Sequence, residues 1–242
     1  MEPNEILNRI RECDNQYMQL FCSLGREWGL YVYQDRLLPE LPAHNYLLIP
    51  EHIPAIRLRG LADVARNTAK ATGRPFLRIR TSHPLHFSSA ESESWGCYYL
   101  SDADKIKASS VSDLSFFAID SAEKVQALAE FESAAAEDAD FGKRRADRFG
   151  RVYLSDNGLN CWLCRRVDKI VARGELFVSG DTAKIVNVET IEKDCIEITG
   201  ALMSHLIEQG RKTGAELIYT ESRSELEGFT KIDDFYTVQW QF

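Results

Sequence analysis

At 242 residues the chain is long for one domain and comfortable for two, since domains cluster near about 100–150 residues. Hydrophobic residues make up 44% and charged residues 27%, the balance of a globular chain, and a formal net charge of −8 argues against a duplex nucleic-acid binder, which needs a basic face. No run approaches the roughly 18 consecutive apolar residues of a membrane span, and the polar start Met1-Glu2-Pro3-Asn4 lacks a signal peptide's basic and apolar regions, so no membrane partner and a cytoplasmic location are expected.

Ile6, Ile10, Cys13, Tyr17, Leu20 and Leu24 recur every three to four residues and predict a first helix, with Pro3 at its start and Gly25 as its cap. Leu30 to Tyr33 and Tyr46 to Ile49 read as short strands, the second set among prolines. Leu61, Val64, Ala65 and Thr68 mark a helix ending at Gly73, and Phe76 to Arg80 a strand. His83 and His86 flank Pro84 in a predicted surface loop. It continues through the Ser/Glu-rich run Ser88 to Ser94, and with no third ligand in place no metal is expected. Trp95 to Leu100 is a further strand, and the polar run after it places a domain boundary at 107.

The second half opens with the strand Leu114 to Ile119. Asp120 and Glu123 then have capping-box spacing ahead of a helix through Val125, Leu128 and Ala129. The basic cluster Lys143-Arg144-Arg145 with Arg148 and Arg151 reads as a solvated loop or helix face. Leu159 to Arg166 and Ile170 to Val178 form a hairpin, and Ala183 to Val188 is a third strand. A helix is expected from Gly200 to Lys212, then the strand Glu216 to Thr220 and a last strand region ending at Trp240. Cys161 and Cys164 lie three apart in a strand, on opposite faces, so the six cysteines are expected to be free thiols. Thr72-Gly73 and Thr213-Gly214 each end a helix before a strand, loop and aromatic strand. This offset of about 141 residues raises a duplicated fold.

From Val111 to Phe242 this order of elements resembles the GNAT superfamily of N-acyltransferases. The likeness rests on Ala183-Lys-Ile-Val-Asn-Val-Glu-Thr190, Gly200-Ala-Leu-Met with Leu206, Thr213-Gly214-Ala-Glu-Leu-Ile218 and Leu226-Glu-Gly228-Phe229. It implies an α/β mixed-sheet fold. The division would be an N-terminal α/β half at 1–106, itself a tandem or pseudo-GNAT, and a GNAT-like acyltransferase domain at 107–242. It also implies a coenzyme, acetyl-CoA or another acyl-CoA, and an acceptor that is a small amine or a protein amino group. A homodimer is left open. By resemblance the coenzyme would lie against Val188 and the stretch Cys195, Ile196, Glu197, Ile198, Thr199 and Gly200. Of that loop's usual glycines only Gly200 is present, and Glu192, Asp194 and Glu197 add negative charge. The family's leaving-thiolate acid is a tyrosine; Ser224 stands there. Glu189 is the candidate general base, and Tyr236 the candidate phenol, with Tyr219 a lesser one. Two readings follow: an acyl-CoA-dependent N-acyltransferase, or a catalytically degenerate GNAT-fold binding or scaffold protein.

Overall fold

Residues 1–27, 29–49, 53–102, 106, 113–136, 138–191 and 195–242 are described by the structure, a computed structural model. In chain order the first elements are α1 (Pro3–Gln19), β1 (Ser23–Glu27), β2 (Leu30–Gln34), β3 (Tyr46–Leu48), α2 (Ala55–Ala71), β4 (Phe76–Thr81) and β5 (Glu91–Leu100). There follow β6 (Leu114–Ala118), α3 (Ala122–Ala135), α4 (Ala139–Tyr153), β7 (Leu159–Arg166), β8 (Lys169–Ser179) and β9 (Thr182–Thr190). The chain closes with α5 (Ile196–Lys212), β10 (Leu217–Ser222) and β11 (Phe229–Gln241). No helix among the described residues is long and apolar enough to cross a membrane.

The chain folds as two units whose segments interleave. One comprises Met1–Leu20, Tyr98–Glu221 and Leu226–Thr230, the other Phe21–Cys97, Ser222–Glu225 and Lys231–Phe242. The first helix therefore folds with the C-terminal half of the sequence, and most of the last strand with the N-terminal half. The boundary expected at 107 lies outside the described residues.

In the second unit the strands run β1-β2-β3-β4-β11-β5. Parallel pairing of β3 with β4 follows from the α2 crossover between them, whereas β1–β2, β2–β3 and β4–β11 pair antiparallel. Leu58, Ala62, Ala65 and Ala69 of α2 pack on Leu47, Leu77, Ile79, Val238 and Trp240. The buried stripe of α2 thus starts a turn earlier than the sequence pattern suggests, and Val64 is half exposed.

In the first unit the order is β10-β9-β8-β7-β6. β6 to β9 form an antiparallel meander, and β10 joins β9 in parallel after the α5 crossover. One face carries α5, whose Ile198, Leu202, Leu206 and Ile207 pack on Ala172, Leu176, Ala183, Ile185 and Ile218. The six cysteines are free, and Cys161 and Cys164 are both buried.

Several local expectations are corrected. α1 buries Ile6, Ile10, Cys13 and Tyr17 as expected, but it ends at Gln19 with Leu20 as its cap, and Gly25 lies inside β1. The cap of α3 is Ser121, whose hydroxyl accepts from the Lys124 N–H; Asp120 instead pairs with the Lys124 ammonium. Trp95 is not the start of its strand, because β5 begins at Glu91. The basic cluster lies on a helix, α4, as one of its two expected settings, but Arg145 is not solvated: its side chain is 15% exposed and pairs with Glu132. α5 begins at Ile196 rather than Gly200, because Ile198 extends the Leu202–Leu206 stripe by one turn back, i to i+4.

Candidate functional site

The parallel pairing of β9 with β10 runs from Thr182↔Leu217 to Ile185↔Thr220. At this last pair the Thr220 hydroxyl donates to the Ile185 carbonyl at 3.0 Å. Past it β9 continues to Thr190 alongside β8. The two strands thus fork, and the side of β9 turned away from β8 carries main-chain groups over Val186–Thr190.

The fork coincides with a β-bulge. Arg173 pairs with Glu189 and Glu175 with Val186, so Asn187 and Val188 together face the single residue Gly174. Asn187 has φ 49°, the left-handed region in which asparagine is among the few tolerated side chains. The extra residue reverses the alternation. Strict period two from Ile185, which packs under α5, would send Glu189 into that apolar core. With the bulge, Glu189 emerges on the opposite face.

On that face lies a buried ion cluster. Arg173, fully buried, sits 2.7 Å from Glu132 of α3, 3.3 Å from Glu175 and 3.0 Å from Glu189. Arg145 of α4 reaches Glu132 at 3.2 Å and Glu189 at 2.9 Å. Glu175 also accepts from the Tyr153 hydroxyl at 2.8 Å, the Tyr17 hydroxyl at 3.3 Å and the Asn187 amide at 2.8 Å. Burial pushes Glu132 up against the pull of Arg173 and Arg145. Burial also acts to raise Glu189, but Arg173 and Arg145 outweigh it and hold that carboxyl at about 2. Burial, and next the Glu175 charge, raise the phenols of Tyr17 and Tyr153 well above their ordinary value. Sequence reading marks Arg145 only as part of a basic cluster and Tyr17 only as part of an apolar stripe, and gives Glu132, Arg173 and Glu175 no role. The available signal was a pair of charged residues, Arg173 and Glu175, inside an otherwise apolar strand.

The expected coenzyme residues divide between strand and helix. Val188 packs partly buried on the α5 face. Cys195 is the residue before α5, half-buried, with no side-chain hydrogen bond capping the helix. Ile196, Glu197, Ile198, Thr199 and Gly200 form the opening of α5 rather than a loop. Ile196 is 83% exposed and Ile198 0%, as on the outer and inner faces of a helix. The first intrahelical bond runs from the Thr199 N–H to the Cys195 carbonyl. The N–H groups of Ile196, Glu197 and Ile198 therefore point out of the helix start, where its dipole is positive. Glu192, Lys193 and Asp194 lie outside the described residues.

The hydroxyl candidates fare differently. Tyr219 is fully buried, and its hydroxyl donates to Asp14 at 2.8 Å. Burial raises its pKa well above the ordinary value, which unfits it as an acid. Ser224 is exposed, and its N–H donates to the Ser222 hydroxyl. Tyr236 is half-buried on β11, in register with Thr81, in the second unit, whereas Glu189 belongs to the first.

No protein-family description matches the chain, and no curated protein does. Solved structures do match. It is similar to a conserved protein of unknown function from Staphylococcus epidermidis, with TM-score 0.69, 11% identity, and 91% of this chain and 94% of that one covered. It is also similar to a GCN5-related N-acetyltransferase from Kribbella flavida, with TM-score 0.63, 13% identity, and 96% and 94% covered. A tandem GNAT protein from the clavulanic acid biosynthesis pathway matches at TM-score 0.50 and 13% identity, over 81% and 73% of the two chains. The fold is that of the GNAT acetyltransferases, and the likeness extends over the N-terminal half of the sequence as well.

Proposed function

We propose that the chain is an acyl-CoA-dependent N-acyltransferase acting on a small amine or a protein amino group. The observation that carries the reading is the end of β9–β10 pairing at Ile185 and Thr220, past which β9 runs on to Thr190, together with a start of α5 that the Cys195 side chain does not cap. The β9 edge over Val186–Val188, past the last β10 pair, suits the amides of a pantetheine arm, and converging N–H groups at a helix start suit a pyrophosphate. These features fit acetyl-CoA or another acyl-CoA, with Val188 and its neighbours along the arm and the N–H groups of Ile196, Glu197 and Ile198 at the phosphates. The bound coenzyme would supply the acyl thioester.

The chain's own residues would position the acceptor and manage protons. At about 2, Glu189 is too weak a base to deprotonate an ammonium near neutral pH, and in this reading it attracts and orients the acceptor as an anion.

Calorimetry against acetyl-CoA tests the reading first. A ligand at 100 times its dissociation constant should add about 2.7 kcal/mol of stability, so a melting shift gives a second readout. Coenzyme release in the presence of an amine panel then tests turnover. Absence of any acetyl-CoA binding at millimolar concentration would remove the enzyme reading.

A second reading has its own support. The tightly paired Glu189 and the serine at position 224 favour a GNAT-fold binding or scaffold protein without turnover. Coenzyme binding with no release across the amine panel would favour it.

A further inference from the structure

We propose that Glu175 and Asn187 form a brace that presets the coenzyme-binding edge of β9, and that both are positioning residues for that ligand; the proposal rests on the coenzyme reading above. Past Ile185 the edge has no pairing with β10 to hold its shape. A strand segment paired on one side only is free to flatten, slip or lose its bulge. Here the bulge is clamped from both faces of the sheet.

On one face the Asn187 amide donates to Glu175 at 2.8 Å, which ties the left-handed residue down. Glu175 is itself immobile: it is fully buried and accepts from Tyr153, Tyr17 and Asn187 while lying 3.3 Å from Arg173. On the other face Gly174 faces α5. A Cβ there would stand 2.7 Å from a Leu206 methyl and 3.2 Å from a Leu202 methyl, so α5 rests directly on the strand opposite the bulge. A helix packed that close blocks relaxation of the bulge toward α5, and the Glu175 tether keeps Asn187 from leaving the opposite face.

The consequence is preorganisation. The main-chain groups of Val186, Asn187 and Val188 are ordered before a ligand arrives, so binding need not order them. The same bulge sets the side on which Glu189 emerges, so one device fixes both the coenzyme edge and the anion proposed to meet the acceptor.

The test uses Asn187→Gly, Glu175→Gln and their combination in the full chain. Glycine keeps the left-handed backbone available but removes the tether. Asn187→Gly should therefore remain folded while acetyl-CoA binding weakens about tenfold by calorimetry, through loss of preorganisation. Amide hydrogen exchange at Val186–Glu189 should speed at least about tenfold, with β7 unchanged, because opening is local. The double variant should bind no more weakly than the worse single one, since Glu175 acts on the edge through its bond to Asn187. If Glu175→Gln does not fold, the Asn187→Gly exchange and affinity data decide alone. Unaltered affinity and exchange in Asn187→Gly, with the parent chain binding normally, overturn the brace and leave the coenzyme reading standing. A parent chain that binds no acetyl-CoA overturns both.

Discussion

Arg173 Nη1 and a carboxylate oxygen of Glu132 stand 2.7 Å apart, with neither side chain open to water. The contact joins β8 to α3, and Arg145 extends it to α4 and to Glu189 on β9. Three carboxylates thus share two guanidiniums in a largely dry space. Such a cluster adds little net stability compared with an apolar core, but it is fragile to the loss of one member.

Arg173→Met should therefore destabilise the chain by about 3–5 kcal/mol, because Glu132 and Glu175 would be left buried and facing each other without their common cation. Urea unfolding measures this. The double change Arg173→Met with Glu132→Met should recover part of the loss by removing one stranded charge. A loss under about 1 kcal/mol for the single variant would mean that water reaches the cluster.

The pH response has a definite sign. Glu189 titrates at about 2 in the folded chain against an ordinary 4.5, so its contribution is fully present above pH 4.5 and disappears as pH falls toward 2. Its side chain is 35% exposed, and solvent screening reduces the contribution to about 1–2 kcal/mol. The stability difference between the parent chain and Glu189→Gln should be flat from pH 7 to 5 and shrink below that. The Glu189 charge is one of those that raise Glu132, so the comparison is made in a Glu132→Gln background, where only Glu189 differs. A difference that instead grows with acid would show that the Arg173 and Arg145 pairing is not what binds Glu189.

How far the sequence speaks depends on which signal an element emits. α1 was legible because Ile6, Ile10, Cys13 and Tyr17 keep helical period against a polar background, and the β7–β8–β9 meander because its strands are long and its turns short. The ion cluster was not, because alternation treats Arg173 and Glu175 as a wet face. Only the packing of α1, α3 and α4 over that face makes it dry. The bulge at Asn187 was hidden as well, since a strand with one extra residue has no compositional mark. The start of α5 was misplaced because Gly200 looks like a boundary, whereas the stripe from Ile198 carries the helix through it. The tandem or pseudo-GNAT expected of the N-terminal half has only the Thr72-Gly73 repeat to mark it in sequence, and the structural similarity extends across that half.

Gly142 gives a test of helix packing. A Cβ there would lie 2.5 Å from the Glu132 carbonyl oxygen and 2.9 Å from the Ser133 Cα, and main chain cannot swing aside as a side chain can. Gly142→Ala must lift α4 from α3 and draw Arg145 off Glu132, at a cost of about 2–3 kcal/mol. Gly60, exposed in α2 with nothing near its missing Cβ, is the control. Gly60→Ala should stabilise by about 0.5–1 kcal/mol through helix propensity. Equal effects from the two changes would contradict the close α3–α4 approach.

Glu197 offers a test in which stability and binding move in opposite directions. It is exposed in the first turn of α5, where its charge complements the positive end of the helix. Under the coenzyme reading a pyrophosphate would occupy that same end, so Glu197 would help the free helix and oppose the ligand. Glu197→Gln should lower the melting temperature slightly, in line with roughly 0.3–1 kcal/mol for a first-turn carboxylate. It should also tighten acetyl-CoA by about two- to fivefold at low salt, with the gain fading as ionic strength rises. Changing Ile198 instead would be uninformative, since that side chain is fully buried in the α5 core and its removal would open a cavity. Glu197→Gln that leaves acetyl-CoA affinity untouched at low salt, while the melting temperature falls as expected, would place the phosphates away from the start of α5.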